Sequence, residues 1–290
     1  MSHAEPRYLE AKRTVDDRSL SRRVRDRLLE SLVAQPRVLE AGCGTGTMVP
    51  RLYEWGLESG IYVGVDQSET AVSVARELRP AEFRYEGADP VASQGETDFL
   101  VGDLSVRFQI GDALSAFADS PGADLLVASA FADLVPISAV LDLVESAVRP
   151  GGLAYLPISF DGGTIFQPDH PADEAVEQAY HTAIDAEPGR DSQAGRHLAE
   201  ALRSAPGDLL GMGSSDWIVR PRTGGYPADE RFFLGRILDF VEAAILDTES
   251  PREPVADAAD WVGTRRDQLA AGELTYVAHQ YDFLYRRPEG

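Results

Sequence analysis

One segment constrains the fold of this chain more than any other: a glycine-rich turn that directly follows a short apolar run. Residues 37–41 read Arg-Val-Leu-Glu-Ala, residues 42–46 read Gly-Cys-Gly-Thr-Gly, and a helical pattern begins at Met48. Glycine lets the backbone turn sharply and pass close to a ligand, and the helix that follows presents unpaired N–H groups. The segment therefore predicts a buried strand, a tight turn and a helix, with a ligand site at the turn.

The alternation of strand and helix continues beyond this turn. Apolar spacing predicts strands at 61–65, 106–110, 124–128 and 153–160 and helices at 19–34, 48–55, 68–78 and 137–148. A weak strand is expected around Phe83 and Tyr85. Strands that alternate with helices in this way are typical of a doubly wound α/β fold. We therefore expect a mostly parallel, seven-stranded-type sheet with helices on both faces.

The charge of the chain disfavours several kinds of partner. Its 290 residues include 27 basic and 48 acidic side chains, which gives a net charge of −21 at pH 7. Binding to nucleic acid or anionic lipid depends on Lys and Arg that neutralise phosphates, so neither partner is expected. We expect a small-molecule partner instead. An excess of acid with Lys12 as the only lysine is typical of a high-salt cytoplasm, although a GC-rich genome would equally favour arginine over lysine.

The number of cysteines and the hydropathy of the sequence indicate the cellular compartment in which the protein is expected. Cys43 is the only cysteine, which excludes an internal disulfide framework and a Cys-rich zinc site and fits a reducing cytoplasm. Residues 1–19 lack the apolar segment of a signal peptide, and no run approaches the roughly 18 apolar residues of a membrane span. We expect a cytoplasmic protein without a metal site. The oligomeric state is open, with a homodimer as one option.

An acidic residue stands at an informative distance from the glycine turn. Asp66 follows Gly46 by twenty residues, at the end of the second predicted strand, where a carboxylate can accept both ribose hydroxyls of a nucleoside. A dinucleotide fingerprint requires Gly-x-Gly-x-x-Gly, whose last position is occupied here by Thr47. The pattern therefore predicts an adenosine-containing cofactor. A nicotinamide-dependent oxidoreductase remains an alternative that Thr47 disfavours.

Four short motifs follow one another along the predicted sheet: Glu40–Gly46, Val63–Asp66, Gly111–Ala113 and Asp124–Ser129, the last followed by Arg149–Gly152. In type and order they resemble the class I S-adenosylmethionine-dependent methyltransferases of the small-molecule type, over residues 37–160. The resemblance implies a Rossmann-like fold, S-adenosylmethionine as cofactor and in-line methyl transfer to an O, N or C atom of a small molecule. A scaffold that binds this cofactor without catalysing transfer is a second alternative.

The resemblance also implies roles for residues of the first two motifs. Gly42, Cys43 and Gly44 would line the methionine part of the cofactor. Glu40 would hold the ammonium group of that part, directly or through water. Asp66 would bind the ribose.

Further along the chain, the resemblance implies contacts to the adenine and near the sulfonium. Gln67 would lie beside the adenine, Asp112 would accept from its amino group, and the backbone N–H of Ala113 would donate to a ring nitrogen. Ser129 and Ala130, after the fourth strand, would lie near the sulfonium. These positions together would surround the adenosine and the reacting methyl group.

The N-terminal arm carries further candidates. In this family such arms commonly close over the cofactor carboxylate, and Arg13 is the candidate for that contact here. Tyr8, Lys12 and Arg18 would contribute to the same lid. Charge on the arm would then complement the carboxylate.

The acceptor side is less constrained by the sequence. Residues 128–131 read Ala-Ser-Ala-Phe, which differs from the Asn/Asp-Pro-Pro-Tyr/Phe motif of methyltransferases that act on DNA bases. Residues 191–198 loosely resemble the Asp-x-x-x-Gly-Arg-x-Leu region of small-molecule methyltransferases. Asp133, His170 and His197 are candidates for a general base or an acceptor contact.

Beyond residue 161 the pattern turns to helices and proline-rich connections. Helices are predicted at 173–186, 192–204 and 228–246, and a final strand at 274–284. We divide the chain into four segments: an N-terminal helical arm at 1–35, a cofactor-binding Rossmann-like core at 36–161, a helical substrate-side insertion at 162–235, and a C-terminal helix with the final strand at 236–290.

Overall fold

A single mixed sheet organises the protein. The computed structural model describes residues 5–92, 95, 97–118, 121–246 and 255–290. The strands in these ranges are β1 (Arg37–Ala41), β2 (Ser59–Asp66), β3 (Val91–Ala92), β4 (Phe99–Val101), β5 (Asp103–Ile110), β6 (Ala123–Val127), β7 (Val148–Gln167), β8 (Asp208–Ser214), β9 (Trp217–Val219) and β10 (Thr275–Arg286). Their order across the sheet is β3-β4-β5-β2-β1-β6-β7-β10-β8, and β9 also pairs with β10.

The centre of the sheet is parallel. Strands β5, β2, β1, β6 and β7 run in one direction, whereas β10 lies antiparallel between β7 and β8. The expectation of a doubly wound, mostly parallel α/β fold is confirmed. Because β1 has β2 on one side and β6 on the other, the chain leaves β1 at the switch point where ligands bind in such sheets.

Helices cover both faces of the sheet. Those in the described ranges are α1 (Pro6–Ser19), α2 (Arg22–Ser31), α3 (Met48–Glu54), α4 (Glu69–Tyr85), α5 (Ala113–Ala118), α6 (Ile137–Ala147), α7 (Asp173–Asp185), α8 (Ala194–Ser204), α9 (Ala228–Ile245) and α10 (Ala258–Ala271). None of these helices is long and apolar enough to cross a membrane.

The core follows from the alternation of side chains along the strands. Val38 and Leu39 are adjacent in β1 and point to opposite faces, where each joins a separate apolar cluster. A third cluster joins α1, α9 and α10 to the far ends of β7 and β10 and includes Tyr8, Phe233 and Trp261. This third cluster holds the N-terminal arm against the sheet.

Helix α4 corrects one expectation. The weak strand around Phe83 and Tyr85 is wrong, because α4 continues through Pro80 as far as Tyr85. The buried residues of α4 recur at helical spacing, and the last of them, Phe83, packs against Tyr53 with ring centroids 5.1 Å apart. Burial on the helical face therefore decides the conformation of this segment.

The segment 162–235 is not purely helical. Besides α7 and α8 it contains the end of β7 and strands β8 and β9, which pair with β7's neighbour β10. The N-terminal arm likewise holds two helices rather than one at 19–34, because the chain turns at Leu20 and Ser21. The backbone N–H of Ser21 donates to the buried Asp282 carboxylate at 2.7 Å, which fixes that turn. The boundaries of the four segments stay a prediction.

Candidate cofactor and acceptor site

The turn after β1 has a backbone that favours glycine. Gly42, Gly44 and Gly46 all have positive φ, at 70°, 52° and 75°. A Cβ at Gly46 would lie 2.6 Å from the ring of Phe108, so a side chain there would clash as well as strain the backbone. The N–H of Gly42 donates to the carbonyl of Val65 at 2.9 Å, which ties the turn to the end of β2.

Asp66 organises the same turn from the neighbouring strand. Its Oδ2 accepts from the backbone N–H of Gly44, and its Oδ1 accepts from that of Ser68, both at 2.8 Å. Each carboxylate oxygen has a second lone pair with which it can accept a hydroxyl. The half-buried Asp66 therefore fits the predicted ribose contact, and the next residue, Gln67, is exposed.

Asp112 and Ala113 lie at the adjacent strand end. Asp112 is exposed and accepts from the N–H of Leu114 at 3.2 Å and from the hydroxyl of Ser115 at 3.0 Å, so it caps α5. The N–H of Gly111 donates to the carbonyl of Asp66 at 2.9 Å. Asp66 and Asp112 consequently lie at the ends of two paired strands, as an adenosine site in this fold requires.

Glu40, the acid before the turn, is deeply buried. It accepts a hydrogen bond from the hydroxyl of Tyr62 on β2. Burial raises the pKa of Glu40 to about 8, against the opposing effects of the Tyr62 hydrogen bond and the charge of Arg51. In the absence of a ligand cation, the protonated form of Glu40 is therefore favoured at neutral pH.

Two apolar side chains cover the glycine turn. A Cβ at Gly44 would lie 3.0 Å from Cδ1 of Leu9 on α1, and one at Gly42 would lie 3.0 Å from Cδ2 of Phe131 after β6. Because Gly42 and Gly44 have no side chains, the turn leaves a concave surface beneath α1, which we call the cradle. The cradle and the carboxylate of Asp66 fit an adenosine-containing cofactor.

The loop after β6 brings further predicted residues to this region. Ser129 and Ala130 are half-buried at its start. Ala130 has a positive φ of 49° and donates its N–H to the carbonyl of Pro157 at 3.0 Å. Such strain in a residue with a side chain is typical of functional loops. The loop leads directly to Phe131 and Asp133.

The cations of the N-terminal arm are engaged within the protein. Arg13 forms ion pairs with Glu82 on α4 and with Asp17. Lys12 pairs with the buried Asp16 at 2.7 Å, and Arg18 likewise pairs with a glutamate on α9. A contact between Arg13 and the cofactor carboxylate would require exchange of these partners, and it stays a prediction.

Asp133 has the most unusual environment among the acceptor-side candidates. Its Oδ1 is buried and has no hydrogen-bond partner among the residues that the structure describes. Burial raises the pKa of Asp133, and the charges of Arg190 and Lys12 oppose that rise. Burial raises the pKa of Tyr8 on α1 and of Tyr180 on α7, and the negative charge of Asp133 adds to the rise in both.

The candidate histidines make their contacts elsewhere. His170 accepts from the N–H of Ala172 at 3.2 Å and lies 3.5 Å from Asp260 of α10. His197 is exposed and pairs with Asp191 at 2.5 Å. Among the described residues no hydrogen bond or ion pair joins either histidine to Asp133, and a catalytic role for the histidines stays a prediction.

Sequence reasoning missed two of the residues around Asp133. Tyr180 follows Val176 by one helical turn on the buried side of α7, which is a signal of packing and not of a site. Arg190 directly precedes the loosely matching residues 191–198, and that resemblance implied no role for it. Only the folding of distant loops onto each other brings these residues to Asp133.

A comparison with known families identifies the core. Residues 32–157 match the model of a methyltransferase domain family, a region that extends from before β1 into β7. With the strand order and the glycine turn, the match indicates that this region is a methyltransferase domain with a Rossmann-like fold. The expectation of a methyltransferase is thus confirmed. No curated protein matches the chain.

Solved structures agree on the fold. An S-adenosylmethionine-dependent methyltransferase from Thiobacillus denitrificans, solved with S-adenosyl-L-homocysteine, is 17% identical over 98% of each chain, with a TM-score of 0.52. A geranyl diphosphate C-methyltransferase from Streptomyces coelicolor is 13% identical over 91% of this chain and 78% of that one, with a TM-score of 0.46. At 17% identity the Thiobacillus structure bears on the fold alone, and because it covers 98% of each chain, the similarity in fold extends over the whole chain.

Proposed function

We propose that this protein transfers the methyl group of S-adenosylmethionine to a protonated oxygen or nitrogen of a small molecule, with Asp133 as general base. One observation carries the proposal: Oδ1 of Asp133 is buried and has no hydrogen-bond partner within the described part of the chain, and Asp133 lies two residues beyond Phe131, which covers Gly42 of the turn. Leaving a buried polar atom without a partner costs about 1–3 kcal/mol. A bound acceptor would remove that cost.

The cofactor would be held by the residues that already form the cradle. Gly42 and Gly44 allow close approach of the methionine part, Asp66 accepts from the ribose, and Asp112 flanks the adenine. When bound, S-adenosylmethionine supplies a methyl carbon that is made electrophilic by the sulfonium beside it. Leu9 and Phe131 exclude water from the turn.

Asp133 would act on the acceptor. An O–H or N–H that donates to its Oδ1 would be oriented towards the turn and would lose its proton to the carboxylate as it becomes methylated. Because burial raises the pKa of Asp133, this carboxylate is a stronger base than an exposed aspartate. A carbon acceptor without such a proton would not use this group.

The experiment separates binding from transfer. Asp133→Asn removes the base, so formation of S-adenosylhomocysteine should fall by about 10²–10⁴-fold, while cofactor affinity measured by calorimetry stays unchanged. The control is Asp142→Asn, an exposed acid on α6 that should retain activity. An unchanged rate in Asp133→Asn would contradict the proposal.

Two other results would favour the alternatives. Cofactor binding without transfer to any acceptor would favour a non-catalytic scaffold, and stabilisation by NAD alone would favour an oxidoreductase. We also propose that the protein works in the cytoplasm and without nucleic acid. The single cysteine and the net charge of −21 support this.

A further inference from the structure

The acid before the glycine turn lies beside a glycine of the neighbouring strand. Glu40 of β1 is the register partner of Gly64 of β2, just as Val38 is the partner of Tyr62. Side chains two residues apart on a strand point to the same face of the sheet, so Tyr62 and Gly64 share one face of β2. A Cβ at Gly64 would lie 2.9 Å from the hydroxyl oxygen of Tyr62. The lack of a side chain at Gly64 therefore lets the phenol of Tyr62 reach the Glu40 carboxylate, to which it donates a hydrogen bond.

Packing fixes the position of the Tyr62 hydroxyl. The side chain of Tyr62 is fully buried, and its ring packs edge-to-face against Phe108 of β5, with ring centroids 5.9 Å apart. The ring of Phe108 in turn lies where a side chain at Gly46 of the turn would stand. Burial, together with the charge of Glu40, raises the pKa of Tyr62 well above its usual range, so this phenol stays a donor.

One oxygen of the Glu40 carboxylate is left over. Oε2 accepts from Tyr62, whereas Oε1 accepts no hydrogen bond from any residue within the ranges that the structure describes. Arg51 of α3 is buried and its charge acts on Glu40, but its guanidinium forms ion pairs with Asp16 and Asp17 of α1 instead. A buried carboxylate without a paired cation is costly in its charged form. Oε1 is therefore an acceptor to which a ligand cation can bind.

The surroundings of Glu40 decide whether it carries a charge. Burial raises its pKa to about 8, the Asp66 carboxylate adds to the rise, and the Tyr62 hydrogen bond and the charge of Arg51 oppose it. The thiol of Cys43 in the turn is also affected by Glu40, and burial raises the pKa of this thiol well above its usual range, so it stays neutral. Glu40 without a ligand therefore holds a proton at neutral pH. A cation beside Oε1 favours the charged form and expels that proton.

We propose that Tyr62 is a positioning residue for the cofactor: its hydroxyl holds the Glu40 carboxylate in place, and Oε1 of Glu40 exchanges its proton for the ammonium group of S-adenosylmethionine. This inference rests on the proposed function, which supplies the cofactor. The cradle begins at Gly42, two residues after Glu40, so a methionine part that lies in it can reach this acid. Tyr62 acts through Glu40 and takes no part in methyl transfer.

The exchange balances without a further reactant. The cofactor brings an ammonium group that is already protonated, and Glu40 loses one proton to solvent as its carboxylate becomes charged. Binding should therefore release about one proton per cofactor below pH 8. The affinity should rise by up to about tenfold for each pH unit until that pH is reached, since protonated Glu40 competes with the ammonium group.

A matched pair of ligands tests the proposal. Calorimetry would compare S-adenosylhomocysteine with its deamino analogue, in which a hydrogen replaces the amino group, in phosphate and in imidazole buffer at about pH 6.5. The two buffers differ in their heat of ionisation, so the difference in binding heat counts the protons released. We expect a proton from S-adenosylhomocysteine and none from the deamino analogue.

Variants assign the effect to its residues. Tyr62→Phe should weaken S-adenosylhomocysteine about 10- to 100-fold, the contribution of a hydrogen bond to a charged group, and leave the deamino analogue unchanged. Because the Tyr62 hydrogen bond lowers the pKa of Glu40, the rise in affinity with pH should also continue to a higher pH in this variant. Glu40→Gln should abolish proton release. The control is Tyr85→Phe, which changes an exposed phenol at the end of α4 and should behave as the wild type.

The contrary results are distinct from one another. Equal proton release with both ligands, no release with S-adenosylhomocysteine, or an equal loss of affinity for both ligands in Tyr62→Phe would overturn the inference. Comparing both ligands on the same variant separates a lost contact from a damaged fold. If S-adenosylhomocysteine binds without proton release, the proposed function stands and the role of Tyr62 falls; if it does not bind at all, both fall.

Discussion

Gly44 donates its backbone N–H to Oδ2 of Asp66 over 2.8 Å, so the acid at the end of β2 holds the glycine turn at the end of β1. The other oxygen of Asp66 accepts from Ser68 at the start of α4. Asp66, the residue implied in ribose binding, therefore also stabilises the local backbone through these two hydrogen bonds. Three segments of the cofactor site, namely the turn, the end of β2 and the start of α4, depend on one carboxylate.

Asp66→Ala is expected to weaken binding of S-adenosylhomocysteine and to destabilise the fold. The loss of two accepted backbone hydrogen bonds should lower the free energy of unfolding by about 1–3 kcal/mol. Calorimetry would measure the affinity and urea denaturation the stability. Asp142→Ala on the exposed side of α6 is the control, and unchanged affinity in Asp66→Ala would show that the ribose contact lies elsewhere.

Glu40→Gln is expected to change the pH dependence of stability. The pKa of Glu40 is about 8 in the fold and 4.5 ordinarily, so the folded state holds a proton that the unfolded state loses between these values. Its contribution to stability is thus present below pH 4.5 and is lost as the pH rises towards 8. Relative to Glu40→Gln, the wild type should lose on the order of 2–4 kcal/mol between pH 5 and 8. Parallel curves from urea denaturation would contradict the burial of a protonatable group at this position.

Gly46→Ala is expected to destabilise the protein by about 2–4 kcal/mol, because the new Cβ is both strained and in conflict with Phe108. Gly224→Ala is a matched control, since Gly224 also has a positive φ, of 93°, but nothing within 4 Å of the added Cβ. Thermal unfolding of both variants separates the two effects. Equal losses would mean that the close approach of Phe108 contributes nothing.

Asp16→Ala is expected to loosen the N-terminal arm. Asp16 is buried and accepts from Lys12 and from the indole N–H of Trp217 at 2.9 Å, so its removal leaves a buried cation unpaired. The expected loss is about 3–5 kcal/mol, with faster proteolysis within α1. Asp229→Ala breaks the exposed pair with Arg7 and should cost at most about 1 kcal/mol. If both variants lost a similar free energy of unfolding, Asp16 would not be what holds the N-terminal arm in place.

The central sheet could be predicted from the sequence because its signals are local. The apolar run of β1, the glycines after it and Asp66 at the end of β2 lie within thirty residues, and each conformation follows from residues nearby. Strand β8 shows the opposite case. Its Gly213 breaks the alternation that marks a strand, yet a Cβ there would meet Ser21, so the packing of α2 demands this glycine.

The acceptor site likewise combines a residue that could be predicted from local sequence with residues that only the tertiary structure reveals. Asp133 was predicted because it follows a recognisable strand end, whereas Arg190 and Tyr180 belong to a different part of the chain. They reach Asp133 through the contact of Gly189 with Pro136 and through α7. Tertiary contacts of this kind leave no periodic pattern in the sequence.

Thermal unfolding in the presence of S-adenosylhomocysteine or NAD tests the central claim, that the glycine turn and Asp66 bind an S-adenosylmethionine-type cofactor, most directly. A ligand that binds only the folded state stabilises it, by about 2.7 kcal/mol at a hundred times its Kd. The account predicts a higher Tm with S-adenosylhomocysteine, a reduced shift in Asp66→Ala and no shift with NAD. A shift with NAD alone would contradict it.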